Sequence, residues 1–579
     1  MQDGKLVAAA QQERFSRIKH DLEFPKEAIE YCLKEAGITI DDVDYVGFYD
    51  KPFVKFERIL MTYLATFPKS FNSFRKALPL WLRKKLWMRQ LIHNELEYDG
   101  ELLFAEHHQS HAASAFLFSP FEESAIITVD GVGEWATATV GVGNGTDIEL
   151  KEEIQFPHSL GLLYSACTYY LGFKVNSAEY KVMGLAPYGN PVYYEKIMAD
   201  MVHVRPNGSF RLNMDYFAYD YGLTMTNKRF EDFFGAPKRD PETKLEQHHK
   251  DVAASVQKVT EEIVLRMSDH AYDLTGSENL CMAGGVALNC VANGRIIRES
   301  KFKNLFVQPA AGDAGGAVGV AGFIYHTLLK NPRNGNWTTP YLGPAFSDEE
   351  IEAYLTGGDV SFPVCEDAER YRNDNTISFR KLEREELIRE TAKRIEEQNV
   401  IGWFQGRMEY GPRALGNRSI LADARNPKNK DVVNLKIKFR ESFRPFAPTV
   451  LEEYIGEYFE IDRPSPYMLL VAQVQNDKRV IPSVTHVDGS ARIQSVSRDE
   501  NPLYYDLIDE FRKQTGCPVI INTSFNVRGE PIVCSPDDAF MCFMRTHMDY
   551  LVMGSYVLAK TDMKPMVELE DWRTKFALD

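Results

Sequence analysis

The sequence predicts an α/β protein of at least two domains, and three observations carry that expectation. The chain has 579 residues, beyond the size at which one hydrophobic core keeps growing. Between Leu280 and Ala317 a short apolar strand, a glycine turn and a helix follow one another twice. After the loop-rich stretches Asn331–Asn336 and Leu342-Gly343-Pro344 the alternation restarts, with a helix over 384–398 and a strand at Val400–Phe404. The expected domains are 1–350 and 375–579, with a boundary between 345 and 380.

The net charge of -16 argues against a partner with a bulk phosphate backbone, so no nucleic acid is expected. A local basic pocket for a small anion stays compatible with it. The eight cysteines (Cys32, Cys167, Cys281, Cys290, Cys365, Cys517, Cys534, Cys542) are scattered and form no Cys-x-x-Cys pair. That usage fits a reducing cytoplasm and neither a disulfide framework nor a zinc knuckle. No signal peptide and no apolar run of spanning length is read, so no membrane association is expected.

In chain order, Asp3-Gly4 followed by Lys5–Ala10 reads as a turn and the second strand of a hairpin. A helix is expected over 25–36, ended by Gly37, and a strand over 44–49. Residues 71–93 mix Arg75, Lys76, Arg83, Lys84, Lys85 and Arg89 with Phe74, Leu78, Trp81, Leu86 and Trp87. They read as a membrane-surface or partner helix, or as a solvated helix that packs its aromatic face on its own domain. A contact surface here would suit a homodimer. Strand Ala125–Val129 ends in Asp130-Gly131, and the strand pair hinged there is the opening of many actin-like ATPase domains. Residues 190–245 read as an insertion of low regularity, and 247–274 as one long helix. Leu280–Ala283 then passes through Gly284-Gly285 into a helix carrying Asn289, and Leu305–Val307 leads through Gly312-Asp313 to a small-residue helix beginning near Gly315. Such glycines let backbone N–H groups approach a phosphate or adenosine at a helix N-terminus; close helix–strand packing would need them too.

Two stretches carry chemistry. In Glu106-His107-His108-Gln109-Ser110-His111, helical spacing puts His107 and His111 on one face. With Asp130 at a strand end they suit a divalent metal, or else form a polar helix cap with stacked surface histidines. In the second half, Gly406–Ser419 holds three arginines and three glycines. Lys436, Lys438, Arg440, Arg444, Arg492 and Arg498 follow, and strand Val519–Ile521 runs into Asn522-Thr523-Ser524-Phe525-Asn526-Val527-Arg528. Arginines gathered in glycine loops of an acidic chain point to an anionic small-molecule pocket rather than to surface solvation.

Taken together, His107–Ala115, Asn176–Gly189, Gly312-Asp313-Ala314-Gly315-Gly316, Gly406–Ser419, Lys438–Pro448 and Asn522–Pro531 resemble the O-carbamoyltransferases of nodulation-factor and antibiotic biosynthesis, the NodU and tobramycin type. The likeness runs through the chain in order, and the Gly406 and Asn522 motifs are long and specific. It implies a duplicated actin-like (ASKHA) N-terminal domain and a YrdC-like α/β C-terminal domain. It also implies an ATP-dependent enzyme that makes carbamoyl-adenylate from carbamoyl phosphate and ATP, then passes the carbamoyl group to a hydroxyl of a small metabolite or sugar. Arg413, Lys438 and Arg444 would be catalytic. Arg492, Asn522, Ser524, Asn526 and Arg528 would hold nucleotide or carbamoyl groups, alongside Gly284, Gly285, Asn289 and Gly315 of the first domain. His107, His111, Asp130 and Asp313 would hold a divalent metal, Fe(II) in the family. Family members also begin with a strand and a histidine-containing loop ahead of the residues seen here. His20, His108 and His158 are the histidines weighed as a substitute base, against structural roles. Two other readings are a tRNA threonylcarbamoylation-like enzyme and a nucleotide-binding scaffold without turnover.

Overall fold

The computed structural model describes residues 1–83, 85–333, 337, 339–566 and 571. Lys84 of the basic stretch and residues 334–336 of the loop lie outside these. Two compact units emerge, one of Met1–Val7 with Cys32–Thr338, the other of Ala8–Tyr31 with Thr339–Asp579. The break falls ahead of the 345 to 380 region expected from sequence, and an early segment of the chain sits in the second unit. No helix among the described residues is long and apolar enough to cross a membrane.

The first unit contains β1 (Tyr45–Phe48) paired in parallel with β2 (Glu101–Phe104), and a five-stranded sheet. That sheet is built from β3 (Glu123–Val129), β4 (Ala136–Asn144), β5 (Asp147–Gln155), β6 (Asn279–Ala283) and β7 (Asn304–Val307), in the order β5-β4-β3-β6-β7. β4 runs antiparallel to β3 and β5, whereas β3, β6 and β7 are mutually parallel neighbours. Ala125, Ile126, Ile127 and Val129 of β3 are all fully buried. A strand covered on both faces reads as such a continuous apolar run. Helix α1 (His107–Phe116) packs on β3 and β6, and the long helix α2 (Gln247–Thr275) on β3 and β4. Helices α3 (Cys290–Glu299) and α4 (Ala314–Gly322) follow the two glycine turns. The first unit thus holds one five-stranded sheet, one parallel strand pair and a hairpin of Val202–Val204 with Phe210–Leu212.

Two other expectations change, and one reading of the basic stretch agrees with the structure. Lys5–Ala10 does not form a strand. A single bridge, Gln2 to Lys5, closes around Asp3-Gly4, and the Ala9 N–H donates to the Leu342 carbonyl at 3.1 Å. With no partner strand beside it among the described residues, an extended segment takes its hydrogen bonds from loops. Residues 190–245 carry a hairpin of Val202–Val204 with Phe210–Leu212 and a helix over Lys228–Phe234, and they pack closely, with Phe217, Phe230, Phe233 and Phe234 buried together. The basic stretch is helical over Phe71–Arg83 and Met88–Leu96 and buries Trp81 against Phe56, while Phe71, Leu80 and Trp87 remain exposed.

The second unit is organised on a nine-stranded mixed sheet. Its strands are β8 (Arg380–Lys381), β9 (Ile401–Phe404), β10 (Arg418–Asp423), β11 (Ala447–Leu451), β12 (Leu470–Gln473), β13 (Ser490–Val496), β14 (Val519–Ser524), β15 (Tyr550–Met553) and β16 (Tyr556–Ala559). The order is β8-β16-β15-β9-β10-β14-β11-β13-β12. Helices α5 (Arg384–Glu396), α6 (Pro502–Thr515) and α7 (Pro536–Arg545) pack on it around Trp403, Phe404, Ile420, Ile521, Phe511, Phe540 and Leu551. The central strands β10, β14 and β11 are antiparallel and bring the ends of three loops together, those of Gly406–Asn417, Lys438–Phe446 and Phe525–Val533.

Candidate functional site

In the first unit, α1 presents His107 and His111 one turn apart, and their Nε2 atoms stand 3.0 Å from each other. Asp130, just past β3, reaches His107 Nε2 at 2.9 Å and His111 Nε2 at 3.5 Å. Asp313, at the start of α4, places Oδ1 3.7 and 3.6 Å from the same two nitrogens. The four donor atoms lie within 4.8 Å of one another.

Glycine makes this convergence sterically feasible. Gly284 has φ +95°, and a Cβ there would lie 2.2 Å from the Val129 carbonyl oxygen. Its absence lets the turn after β6 approach β3, so that the Gly285 N–H donates to Asp130 Oδ1 at 3.0 Å. On α4, a Cβ at Gly319 would lie 1.9 Å from the Ser110 carbonyl oxygen of α1. Two helices in such close contact bring Asp313 to the histidines. Gly315 has a similar role, with Gln308 Nε2 and the Ala310 carbonyl where its Cβ would be. The Asn289 side chain caps α3 through Ala292 N and pairs with Gln257. Of the four residues expected to cradle a nucleotide here, all four have a local packing, capping or carboxylate-holding contact.

Two residues of this centre were not singled out in the sequence. Asp50 Oδ1 lies 2.9 Å from His107 Nδ1, and its other oxygen is paired with Lys55. Glu134 accepts from the His107 backbone N–H at 3.2 and 3.1 Å and from the Lys51 N–H at 2.7 Å. The signal for Asp50 was available: like Asp130, it is a carboxylate just beyond a strand. With His107 Nδ1 donating to Asp50, Nε2 turns its lone pair on an acceptor carboxylate and a second imidazole. His107 Nε2, His111 Nε2 and Asp130 Oδ2 converge on one point, where a shared proton or a metal cation would fit. Burial alone would favour a neutral His107, but Asp130 and Asp50 outweigh it and push its pKa up to about 10. Asp130 is held well below the usual carboxylate range, against the effect of its burial, by both histidines. A field that holds a proton this firmly suits a divalent cation, and two imidazoles with two carboxylates are an ordinary donor set for one. The other histidines are used structurally: His108 bonds Thr128 Oγ1 at 2.6 Å, His158 accepts from the Leu212 N–H, and His20 lies exposed beside Glu13.

In the second unit, β14 ends at Ser524 and Lys438 reaches in from the neighbouring loop. Its Nζ donates to the Ser524 carbonyl, to Ser524 Oγ at 3.1 Å, and to the Asn526 carbonyl and Oδ1 at 3.0 and 2.6 Å. None of these partners is a carboxylate. Burial, aided by Arg440 and Arg444, holds the ammonium pKa well below its ordinary value. Ser524 Oγ also donates to Asn526 Oδ1 at 2.8 Å. Asn522 is two residues back, on the same face of β14. It donates to Gln494 Oε1 at 2.7 Å and to the Ala414 carbonyl at 3.2 Å. Arg492 shares the Gln494 face of β13 by the same alternation. Arg444 and Arg528 meet at Glu441, at 2.8 and 3.7 Å. Arg413 stands in the glycine loop one residue before Ala414.

Two of the three arginines of the glycine loop are engaged with backbone carbonyls. Arg418 is fully buried and donates to the carbonyls of Gln405, Gly406, Asn417 and Pro344, with its Cζ 3.7 Å from the centroid of the Phe404 ring. Arg407 donates to the Leu342 and Gly343 carbonyls. A glycine-rich loop has few backbone partners of its own, and a guanidinium supplies five donors to satisfy its carbonyls. Glu409, unremarked in the sequence, completes the loop by accepting from the N–H groups of Leu415, Asn417 and Arg418 at 2.7, 2.7 and 3.1 Å.

Residues 1–322 match the family model described as carbamoyltransferase N-terminus, and residues 392–560 the one described as carbamoyltransferase C-terminus. An uncharacterized protein of Synechocystis is 52% identical over 100% of this chain and 97% of its own. Nodulation protein NolNO of Sinorhizobium fredii is 39% identical over 99% of this chain and 79% of its own. Among solved structures, HypF of T. kodakarensis is 16% identical with a TM-score of 0.24, covering 43% of this chain and 40% of that one, an overlap too partial to bear on the fold. With both family models matched in order, and relatives aligned along nearly its whole length, the chain belongs to the carbamoyltransferase family.

Proposed function

We propose that this carbamoyltransferase works in two stages, activating the carbamoyl group as an adenylate in the second unit and transferring it to an acceptor hydroxyl in the first. The observation that carries the reading is the buried Lys438 ammonium, bonded only to neutral oxygens and bordered by Arg440 and Arg444. A buried cation with no carboxylate bonded to it is costly, and an incoming phosphate would supply a countercharge. The order of the five-stranded sheet, a three-stranded meander with two parallel strands added beside its first strand, supports an actin-like assignment for the first unit. The YrdC-like assignment of the second unit rests on the motifs.

A carbamoyl group is a poor acylating agent because its nitrogen donates into the carbonyl, and linkage to AMP provides a good leaving group. Water cleaves carbamoyl phosphate to carbamate and phosphate. A carbamate oxygen then bonds to the α-phosphorus of ATP as the bond to pyrophosphate breaks. Lys438, Arg413 and Arg444 neutralise charge on the phosphoryl oxygens, while Arg492 and Arg528 hold the phosphates. Ser524, Asn522 and Asn526 orient the carbamoyl and nucleotide groups. In the second stage the acceptor oxygen attacks the carbamoyl carbon, AMP departs with the bonding pair, and the hydroxyl proton is lost.

His107, His111, Asp130 and Asp313 would hold a divalent cation, and iron in the Fe(II) state is the metal proposed. Such an ion supplies charge to orient a phosphate and polarise a carbonyl. The protein's own part is to hold these donors, with Asp50 fixing the His107 tautomer and Gly285 fixing Asp130. The test is pyrophosphate release from ATP by the purified, metal-replete chain with and without carbamoyl phosphate. Release that requires carbamoyl phosphate supports the reading, and release that ignores it, or none at all, overturns it.

A further inference from the structure

We infer that the early segment Ala8–Tyr31 is a working part of the anion pocket of the second unit, and that Arg17, seconded by Arg14, positions its phosphate-facing residues. The inference deepens the adenylate reading and rests on it. Nothing in the sequence motifs suggested it, because these residues lie 397 positions from the glycine loop and 513 to 515 from the loop after β14.

The segment includes one helical turn, Glu13–Ser16, that places three side chains against two loops. Arg14, buried, donates to the Gly411 carbonyl of the glycine loop and to Gln11 Oε1, each at 3.0 Å, and pairs with Glu13 at 2.9 Å. Phe15 packs on Met408 of that loop and on Ile532 and Cys534 of the loop after β14. Arg17 donates to the Ile532 carbonyl at 2.7 Å, the Pro531 carbonyl at 3.0 Å and Glu530 Oε1 at 3.2 Å, and pairs with Asp538 at 3.0 Å. Its backbone sits at φ +59°, a conformation that L residues other than glycine rarely hold unless their surroundings enforce it.

From Arg17 the contacts lead directly to the pocket. Glu530 accepts from the Val527 N–H at 3.0 Å through its second oxygen, and its carbonyl accepts from Asn526 Nδ2 at 2.6 Å. Asn526 in turn presents Oδ1 to Lys438 and Ser524. Arg17 thus fixes the Glu530 carboxylate, which fixes the turn 526–530, which aims the amide that positions the lysine. Arg14 acts on Gly411, two residues before Arg413. A guanidinium is required rather than a charge alone, because Arg17 satisfies three carbonyls, that of Arg14 included, and two carboxylates from three nitrogens. Touching no substrate itself, Arg17 is a positioning residue.

The test uses the full chain, with Arg17→Lys keeping the charge and Arg17→Ala removing it. Calorimetric titration with pyrophosphate reads the pocket without turnover, and carbamoyl-phosphate-dependent pyrophosphate release reads its chemistry. Arg17→Lys should weaken pyrophosphate binding and slow release on the order of a hundredfold, with thermal midpoint and metal uptake near wild type. Millimolar guanidinium should restore part of the activity of Arg17→Ala, which a merely structural lesion would not allow. Wild-type pyrophosphate affinity in Arg17→Lys would overturn the role assigned to Arg17. A wild-type chain that binds pyrophosphate yet releases none from ATP would overturn the adenylate reading alone.

Discussion

Gly319 provides the sharpest test of how the first unit builds its candidate cation site. An alanine Cβ there would lie 1.9 Å from the Ser110 carbonyl oxygen and 3.0 Å from Ser114 Cβ. Ordinary contact begins near 3.4 Å, so α4 must retreat from α1 by 3.4 − 1.9 = 1.5 Å, and a backbone carbonyl cannot rotate aside as a side chain can. Asp313 begins α4, whereas His107 and His111 lie on α1, so the retreat lands on the distance that closes the donor set. Asp313 Oδ1 is 3.6 to 3.7 Å from the imidazole nitrogens, a separation one shared ion can bridge. Ligand distances tolerate only about 0.2 Å of error, so Gly319→Ala should weaken metal binding by at least about tenfold. The overpacking itself should cost about 1–3 kcal/mol of stability. The assay is anaerobic titration of metal-free protein with Fe(II) and Zn(II) against a competing chelator, with thermal melting in parallel. Gly322→Ala is the control on the same helix: its Cβ would meet the Phe118 ring at 2.7 Å, and a ring edge can move. Equal metal affinity in Gly319→Ala, Gly322→Ala and wild type would refute the argument that helix spacing sets the site.

The remaining predictions concern the division of labour and pH. His111→Ala should lose metal and carbamoyl transfer while sparing pyrophosphate release; equal loss of both would contradict separate stages. Lys438→Met should lower pyrophosphate release by about a hundredfold or more while leaving metal uptake by the first unit unchanged, as read by chelator competition. Glu500 carries a carboxyl raised to about 7, mainly by burial and then by Glu452. Unfolded, it ionises near the ordinary glutamate value of 4.5, so between these pH values the folded state keeps a proton that the unfolded state has lost. Its contribution to stability is therefore greatest below the unfolded value and declines as pH rises through about 7, by an amount on the order of 3 kcal/mol. Glu500→Gln should flatten that decline in denaturant melts, and an unchanged slope would refute the assignment.

Much of the architecture was legible from residue order because it is local. The apolar run Ala125–Val129, the long helix ending at Gly276 and the glycine turns before α3 and α4 announce themselves through periodicity and backbone permissiveness. The spacing of His107 and His111 fixed their shared face once α1 was helical. The long Gly406 and Asn522 motifs marked the family. Other features depend on partners distant in sequence. The extended Lys5–Ala10 had the composition of a strand, but pairing is decided by a neighbour and not by propensity. Arg418 and Arg413 stand in one loop and look alike on paper, yet one is wholly consumed by carbonyls. Asp50 and Glu134 gain meaning only because β1 and the β3–β4 turn bring them to α1. The sequence by itself determined the α/β elements, the family motifs and the kinds of donor in each site. Tertiary structure decided which donors meet, since convergence depends on backbones approaching at Gly284 and Gly319, and it decided that Ala8–Tyr31 joins the second unit, where Arg14 and Arg17 tie two loops that no local rule could have linked to them.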